Sequence, residues 1–210
     1  EKQMHYLKKS FNIISLQYCL DCLTGKKQAP PNSVLLTVDD GYQDFYDIAF
    51  SILRKYDVPA TVFLTVDFID KRIWLWHDLL NFALKNTSMT NFSLNGEVFD
   101  LTHQRGKGEL KSQLDEICTS VTPIERDALI NQVLKDLRMT APEHPTSEYA
   151  PLTWAQILEM SKFKVDYGAH TCTHPILTKI DPEDALWEIK KSKERIEEVT
   201  QRDIPAFCYP

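Results

Sequence analysis

No apolar run in this sequence approaches the roughly 18–20 residues that cross a bilayer as a helix, so no transmembrane segment is expected. No dense block of lysine and arginine occurs either, and the formal net charge is −6. Together these argue against nucleic acid or an anionic membrane as the main partner. Cysteine is sparse and irregular: Cys19, Cys22, Cys118, Cys172 and Cys208 form an odd set with no disulfide framework. Cys19 and Cys22 have CxxC spacing, but they lie in an apolar helical stretch without a second pair. They read as small half-buried side chains rather than a redox or zinc site. There is no internal repeat and no low-complexity linker. Neither a compartment nor an oligomeric state is assigned. What is present is an ordinary globular balance, 43% hydrophobic and 26% charged over 210 residues, enough for one domain with a substantial core.

The chain opens as alternating elements. A helix is expected over 2–9, a short strand over 11–15, and a helix over 16–23 with Gly25 placed as a C-cap. Residues 34–38 form a continuous apolar run, read as a strand buried on both faces. Residues 44–56 read as an amphipathic helix presenting Phe45, Ile48, Ala49, Ile52 and Leu53 on one face. "ATVFLTV" at 60–66 is a second apolar strand. Strand–helix–strand spacing of this kind means parallel pairing in an α/β sheet or barrel.

Residues 67–150 break the alternation and are read as a mostly helical insertion within a single 1–210 domain. "KRIWLWHDLLNFALKN" is expected to be a helix carrying Trp74 and Trp76. Asn95-Gly96 between two alternating runs marks a hairpin. "RGKG" at 105–108 reads as a loop, and amphipathic helices follow over 110–121 and 123–137. The alternation then resumes. A helix over 153–161 is opened by the Thr153/Gln156 capping box, and a strand follows over 163–169. A long helix runs from Asp181-Pro182 to about Gln201, its charges read as a solvated face. "IPAFCYP" begins one more strand. A closed parallel barrel needs about eight strands, and about five are counted here, so the fold is expected to be C-terminally incomplete.

The chemistry concentrates at two strand ends. "VLLTVDDGY" stops abruptly at Asp39, Asp40 and Gly41, and "KVDYGAHTCTHP" ends in His170 and His174. In α/β folds, functional groups gather beyond the C-terminal ends of parallel strands, so the two clusters should face the same end of the domain. Two imidazoles and a carboxylate suit a divalent cation, Zn²⁺ above all, with positions left for water and substrate. Consecutive residues leaving a strand project differently. One aspartate can therefore bind the cation while its neighbour accepts a proton from the attacking water. A cation also relieves the repulsion between adjacent carboxylates. Helix capping alone does not require two acids at the end of a buried strand.

"TVDDG" at 37–41 resembles the first motif of the polysaccharide deacetylases, the NodB-homology family or carbohydrate esterase family 4, usually T-F-D-D-G. "HTCTH" at 170–174 matches the second motif, H-[S/T]-x-x-H, and "PATVFLTV" at 59–66 is similar to the family's next strand. The resemblance covers roughly 33–66 and 166–210. It implies a distorted (β/α) barrel and a hydrolase that removes acetyl groups from an N-acetylated carbohydrate. It further implies Asp39 as catalytic base and Asp40, His170 and His174 as ligands of Zn²⁺, or of Co²⁺ or Ni²⁺ in its place. Tyr209, or its neighbour in "FCYP", would offer a backbone N–H to the oxyanion. The sequence departs from the family where Val38 replaces Phe and where no arginine occupies the place the third motif, R-x-x-P-[Y/W], gives it around "FCYP". The family's late Leu-x-His motif, which carries the general acid, is expected beyond Pro210, and His5, His77, His103 and His144 do not stand in its context.

Trp74 and Trp76, with His77 beside them, are candidate substrate-binding residues, since aromatic faces suit sugar rings, with packing of the insertion helix as the competing reading. Cys172 is set aside as a ligand because i+2 from His170 points elsewhere. The competing functions are a related small-amide C–N hydrolase or deformylase, a catalytically inactive sugar-binding module, and a non-haem iron oxygenase, whose facial triad has the same ligand types.

Overall fold

The computed structural model describes residues 1–210. Its first elements are α1 (Lys2–Ser10), β1 (Asn12–Ile14), α2 (Leu16–Leu23), β2 (Ser33–Leu35), β3 (Thr37–Val38) and α3 (Ser51–Tyr56). These are followed by β4 (Ala60–Leu64), α4 (Val66–Ile69), α5 (Trp76–Asn86), β5 (Asn91–Leu94) and β6 (Glu97–Asp100). The chain closes with α6 (Gln104–Ser120), α7 (Pro123–Asp136), α8 (Trp154–Met160), β7 (Val165–Ala169) and α9 (Pro182–Thr200). No helix is long and apolar enough to cross a membrane.

The parallel strands fall into a two-stranded sheet, β1–β2, and a three-stranded main sheet, β3–β4–β7. β1 pairs with β2 from Asn12↔Ser33 to Ile14↔Leu35. β3 pairs with β4, which pairs along its whole length with β7, from Ala60↔Val165 to Leu64↔Ala169. Leu36 interrupts the run between β2 and β3, its carbonyl accepting from Thr61 N–H at 2.9 Å. Phe207 adds a fourth parallel member to the main sheet through a bridge to Ala169. All five residues of β4 are buried, as expected of a central parallel strand. The sheet stays open; no closed barrel forms. Residues 34–38 are expected to be buried on both faces, but Val34, Leu35 and Leu36 are only half-buried and Thr37 and Val38 are exposed, Val38 to 37%. A closed barrel would give this strand a covering element that the open sheet does not.

The helical stretch after "DDG" is wound differently from the expectation. Residues Phe45–Phe50 form a π-helix that runs directly into α3. With i→i+5 bonding, Phe45 and Phe50 share a face and enter the core with Leu53, while Ile48 is 62% exposed.

Two hydrophobic clusters form. One lies on the main sheet and contains Val62, Leu64, Leu152, Ile157, Tyr167 and Ile196. The other is drawn wholly from residues between Leu80 and Leu137. In that second region the β5–β6 hairpin turns at Asn95 (φ +51°) and Gly96 (φ +84°), the two-residue geometry its sequence requires. The helix expected from residue 71 begins only at Trp76, leaving Trp74 outside it. "RGKG" is the first turn of α6 rather than a loop. A Cβ at Gly106 would sit 1.9 Å from the Asp100 carbonyl oxygen, so glycine lets α6 dock against the hairpin's end. We expect Gly106→Ala to lower stability by about 3 kcal/mol through this clash, read as a drop in chemical-denaturation midpoint.

Candidate active site

The "DDG" turn separates two adjacent carboxylates. Gly41 N–H bonds back to Asp39 O at 2.8 Å, and both Asp40 (φ +68°) and Gly41 (φ +88°) are left-handed. Aspartate tolerates that conformation better than most L-residues. At Gly41 a side chain is also excluded by space, because a Cβ would lie 2.8 Å from Leu64 and 2.9 Å from Ile69. The turn is anchored by Thr65 N–H to Asp40 O at 3.3 Å and Leu152 N–H to Gly41 O at 2.8 Å. Asp40 therefore turns inward, while Asp39 is exposed.

The histidine loop leaves β7 in the same direction. His170 N–H bonds to Leu64 O at 3.0 Å, which ties the start of the loop to the end of β4. Asp40 Oδ1 lies 3.1 Å from His174 Nε2 and 3.5 Å from His170 Nε2, and the ligand atoms of all three lie within 4.8 Å of one another. The two imidazoles meet edge-on with centroids 5.1 Å apart. His170 is 2% exposed, and its Nδ1–H donates to Cys208 O at 2.9 Å, which leaves a lone pair on Nε2. Burial lowers the pKa of His170, which favours the neutral ring. Burial alone would raise the pKa of Asp40. The hydrogen bond to His174 and the electrostatic pull of the neighbouring imidazoles, His174 first, outweigh it and hold Asp40 below the usual carboxylate range. This donor set fits Zn²⁺ or a similar ion: bonds of ~2.0–2.1 Å in tetrahedral geometry set neighbouring donors about 3.3 Å apart.

Asp39 lies beside the same centre. Its carboxylate, one His170 nitrogen and Cys208 Sγ also fall within 4.8 Å of one another. Burial, with the Asp39 charge adding to it, raises the pKa of the Cys208 thiol. Cys208 N–H bonds to Ala169 O at 3.0 Å, so the main chain of "FCYP" borders the site. Tyr209 is 75% exposed, and its ring packs edge-on against Phe207. Cys172 is buried with its thiol directed at Glu188 O, 3.7 Å away, and burial pushes its pKa up to about 12. It is not part of the converging set.

His77, which lacks the sequence context of a general acid and is expected at most to line a sugar cleft, packs its ring edge-on against His174 at 5.9 Å. Tyr42 O–H donates to Asp78 Oδ2 at 2.7 Å, and its oxygen lies 3.0 Å from His77 Nε2. Trp76 continues the line of rings, edge-on to His77 at 5.5 Å and flanked by Lys111 and Arg126. Trp74 instead donates its indole N–H to Pro142 O at 3.0 Å and packs on Phe82 and Tyr149. The one available signal was Tyr42 following "DDG" directly; its partners arrive from α5, and no local pattern links them.

Burial lowers the His77 pKa to about 4 and raises that of Asp78 to about 6. The Asp78 side chain is only 8% exposed. A shift from 3.8 to about 6 makes its ionisation cost about 3 kcal/mol. Because this folded-state pKa is raised, the contribution of Asp78 to stability is present below about pH 4 and lost as pH rises through about 6. Asp78→Asn keeps the acceptor for Tyr42 and removes that loss. We expect the chelated variant to be more stable than the parent at pH 8, with the advantage gone at pH 4, in paired urea titrations.

Fold and site together define a mixed α/β domain with a carboxylate and two imidazoles convergent at the C-terminal ends of parallel strands. The polysaccharide deacetylase family model matches residues 26–117 and 121–210, and the chain belongs to that family. It is 33% identical over 94 residues to "Putative polysaccharide deacetylase YxkH" of Bacillus subtilis (strain 168), a match covering 42% of this chain and 32% of that protein. Its fold is similar to that of the Streptococcus pyogenes deacetylase PplD, solved in complex with acetate. The TM-score is 0.59 at 18% identity, covering 99% of this chain and 59% of that one. It is also similar to IcaB from Ammonifex degensii, with TM-score 0.58 at 16% identity over 100% of this chain and 64% of that one. The chain thus spans about a third of YxkH and less than two thirds of these two solved structures.

Proposed function

We propose that this chain carries the cation-binding centre of a hydrolase that removes acetyl groups from an N-acetylated carbohydrate. The observation that supports it is the convergence of Asp40 Oδ1, His170 Nε2 and His174 Nε2 within one ion's reach, with a second carboxylate, Asp39, beside them. In this reading Asp40, His170 and His174 hold the ion, Zn²⁺ with Co²⁺ or Ni²⁺ as substitutes. When bound, it supplies Lewis-acid polarisation of the acetyl carbonyl and lowers the pKa of coordinated water. Asp39 accepts the proton of the attacking water, and the N–H of Tyr209 or its neighbour donates to the developing oxyanion. An oxygenase with the same ligands needs no such base, which favours hydrolysis.

Of the two tryptophans proposed to face the sugar, Trp76 is supported by its contact with His77. Trp74 is committed to packing within the same segment. The proposal also covers the architecture: 67–150 is an insertion in one 1–210 domain, and the open sheet is an arc of a distorted (β/α) barrel.

The test is acetate release from N-acetylglucosamine oligomers, with and without chelator. Release that stops on chelation and returns with zinc or cobalt supports the proposal. Oligomer binding without acetate favours the sugar-binding module. A cation-loaded chain that releases no acetate from any acetylated sugar overturns the deacetylase reading.

A further inference from the structure

The charges of α9 are expected to form a solvated face, and Glu188 is an exception. Glu188 is 6% exposed. Its Oε2 accepts from Cys172 N–H at 2.6 Å and Thr173 N–H at 3.0 Å, and its Oε1 accepts from Thr173 Oγ1–H at 2.6 Å. All three bonds come from the segment between the two histidines. That segment is flanked by Thr171 (φ +69°) and His174 (φ +58°), two non-glycine residues in the left-handed region. β-branched threonine adopts this conformation rarely, so the loop needs outside support to hold it. Within the loop, Thr171 Oγ1 accepts from His174 N–H at 3.0 Å and donates to His170 O.

The two imidazoles differ in what orients them. The His170 ring is fixed by its own bond from Nδ1 to Cys208 O. His174 Nδ1 is buried with no hydrogen-bond partner. The aim of His174 therefore rests on its Nε2 contact with Asp40, on packing and on its backbone, whose N–H is held by Thr171 Oγ1 while the Glu188 carboxylate holds the two residues before it. Charge-assisted bonds of this length are the strong class, and the groups that orient metal ligands contribute to affinity without touching the ion.

We propose that Glu188 is a positioning residue that clamps the "HTCTH" loop so that His170 and His174 present their Nε2 atoms to one cation. The inference rests on the metal reading above, and its test separates the two. Chelated protein is titrated with Co²⁺, following the visible ligand-field spectrum and the affinity, and the melting temperature of the chelated form is recorded alongside. Glu188→Ala is expected to weaken Co²⁺ binding about 10–100-fold and alter the spectrum. Glu188→Gln, which keeps the acceptor for both N–H groups, should restore affinity to within about threefold of the parent. Thr173→Val removes only one of the three bonds and should fall between them, which preserves the test if Glu188→Ala does not fold. Glu194→Gln, on the exposed side of the same helix, serves as control. A parent chain that binds no Co²⁺ removes the metal reading itself. A parent that binds, with folded Glu188→Ala or Thr173→Val of equal affinity and unchanged spectrum, overturns the clamp and leaves Glu188 a purely structural residue. Equal loss in Glu188→Ala and Glu188→Gln also overturns it, in favour of a long-range charge effect.

Discussion

Replacing His174 with alanine is expected to abolish cation binding and turnover together. Asp40, His170 and His174 make a three-donor set, and two protein donors leave the ion too few bonds to compete with water. The loss in zinc affinity should reach about a thousandfold, on the order of 4 kcal/mol. Folding must be separated from binding, because His174 also contributes edge-on ring contacts to His170 and His77. Its backbone is left-handed, and alanine accepts that conformation less readily than asparagine. His174→Asn is therefore the companion variant: it suits the backbone and still removes the imidazole. Calorimetric zinc titration of chelated protein, with melting curves of the same samples, reads both quantities. Parent-like affinity in a folded His174→Asn protein would remove His174 from the ligand set.

The parts of this arrangement written in short segments were legible before any coordinates. β4 is five consecutive core residues, the hairpin turn carries its Asn-Gly, and both motifs stand at strand ends. Each depends on neighbours in the chain. What sequence could not show depends on distant partners. Gly106 is glycine because of Asp100 O, a constraint set by how α6 meets the hairpin. The π-winding at Phe45–Phe50 moves the buried face from Ile48 to Phe50, although a regular helical period fits the same residues. His77 reaches His174 only because α5 folds back over the "DDG" turn, where Tyr42 meets it. Glu188 looks like the start of a solvated charge run until its two oxygens are found on the histidine loop. In each case an ordinary side chain acquired a special environment through tertiary packing.

Asp39→Asn is expected to divide what His174→Ala loses together. The variant should bind zinc within about threefold of the parent yet turn over about 10²–10⁴-fold more slowly, the usual contribution of a positioned general base. That corresponds to about 3–5 kcal/mol of lost transition-state stabilisation. The separation follows from the turn. The left-handed Asp40 and Gly41 send the Asp40 carboxylate to within 3.1 Å of His174 Nε2. Asp39 remains exposed, outside the set of Asp40, His170 and His174. Asparagine preserves the shape of Asp39 but is not a base at neutral pH, so the change isolates proton transfer from ion binding. Zinc calorimetry and acetate release must be measured on the same preparation, since each alone is ambiguous. If zinc affinity falls with Asp39→Asn and survives Asp40→Asn, the two acids have exchanged roles, and the ion sits toward Cys208, between Asp39 and His170. If both affinity and turnover survive, the base lies elsewhere, and the exposed carboxylate at the strand end is a bystander to the chemistry.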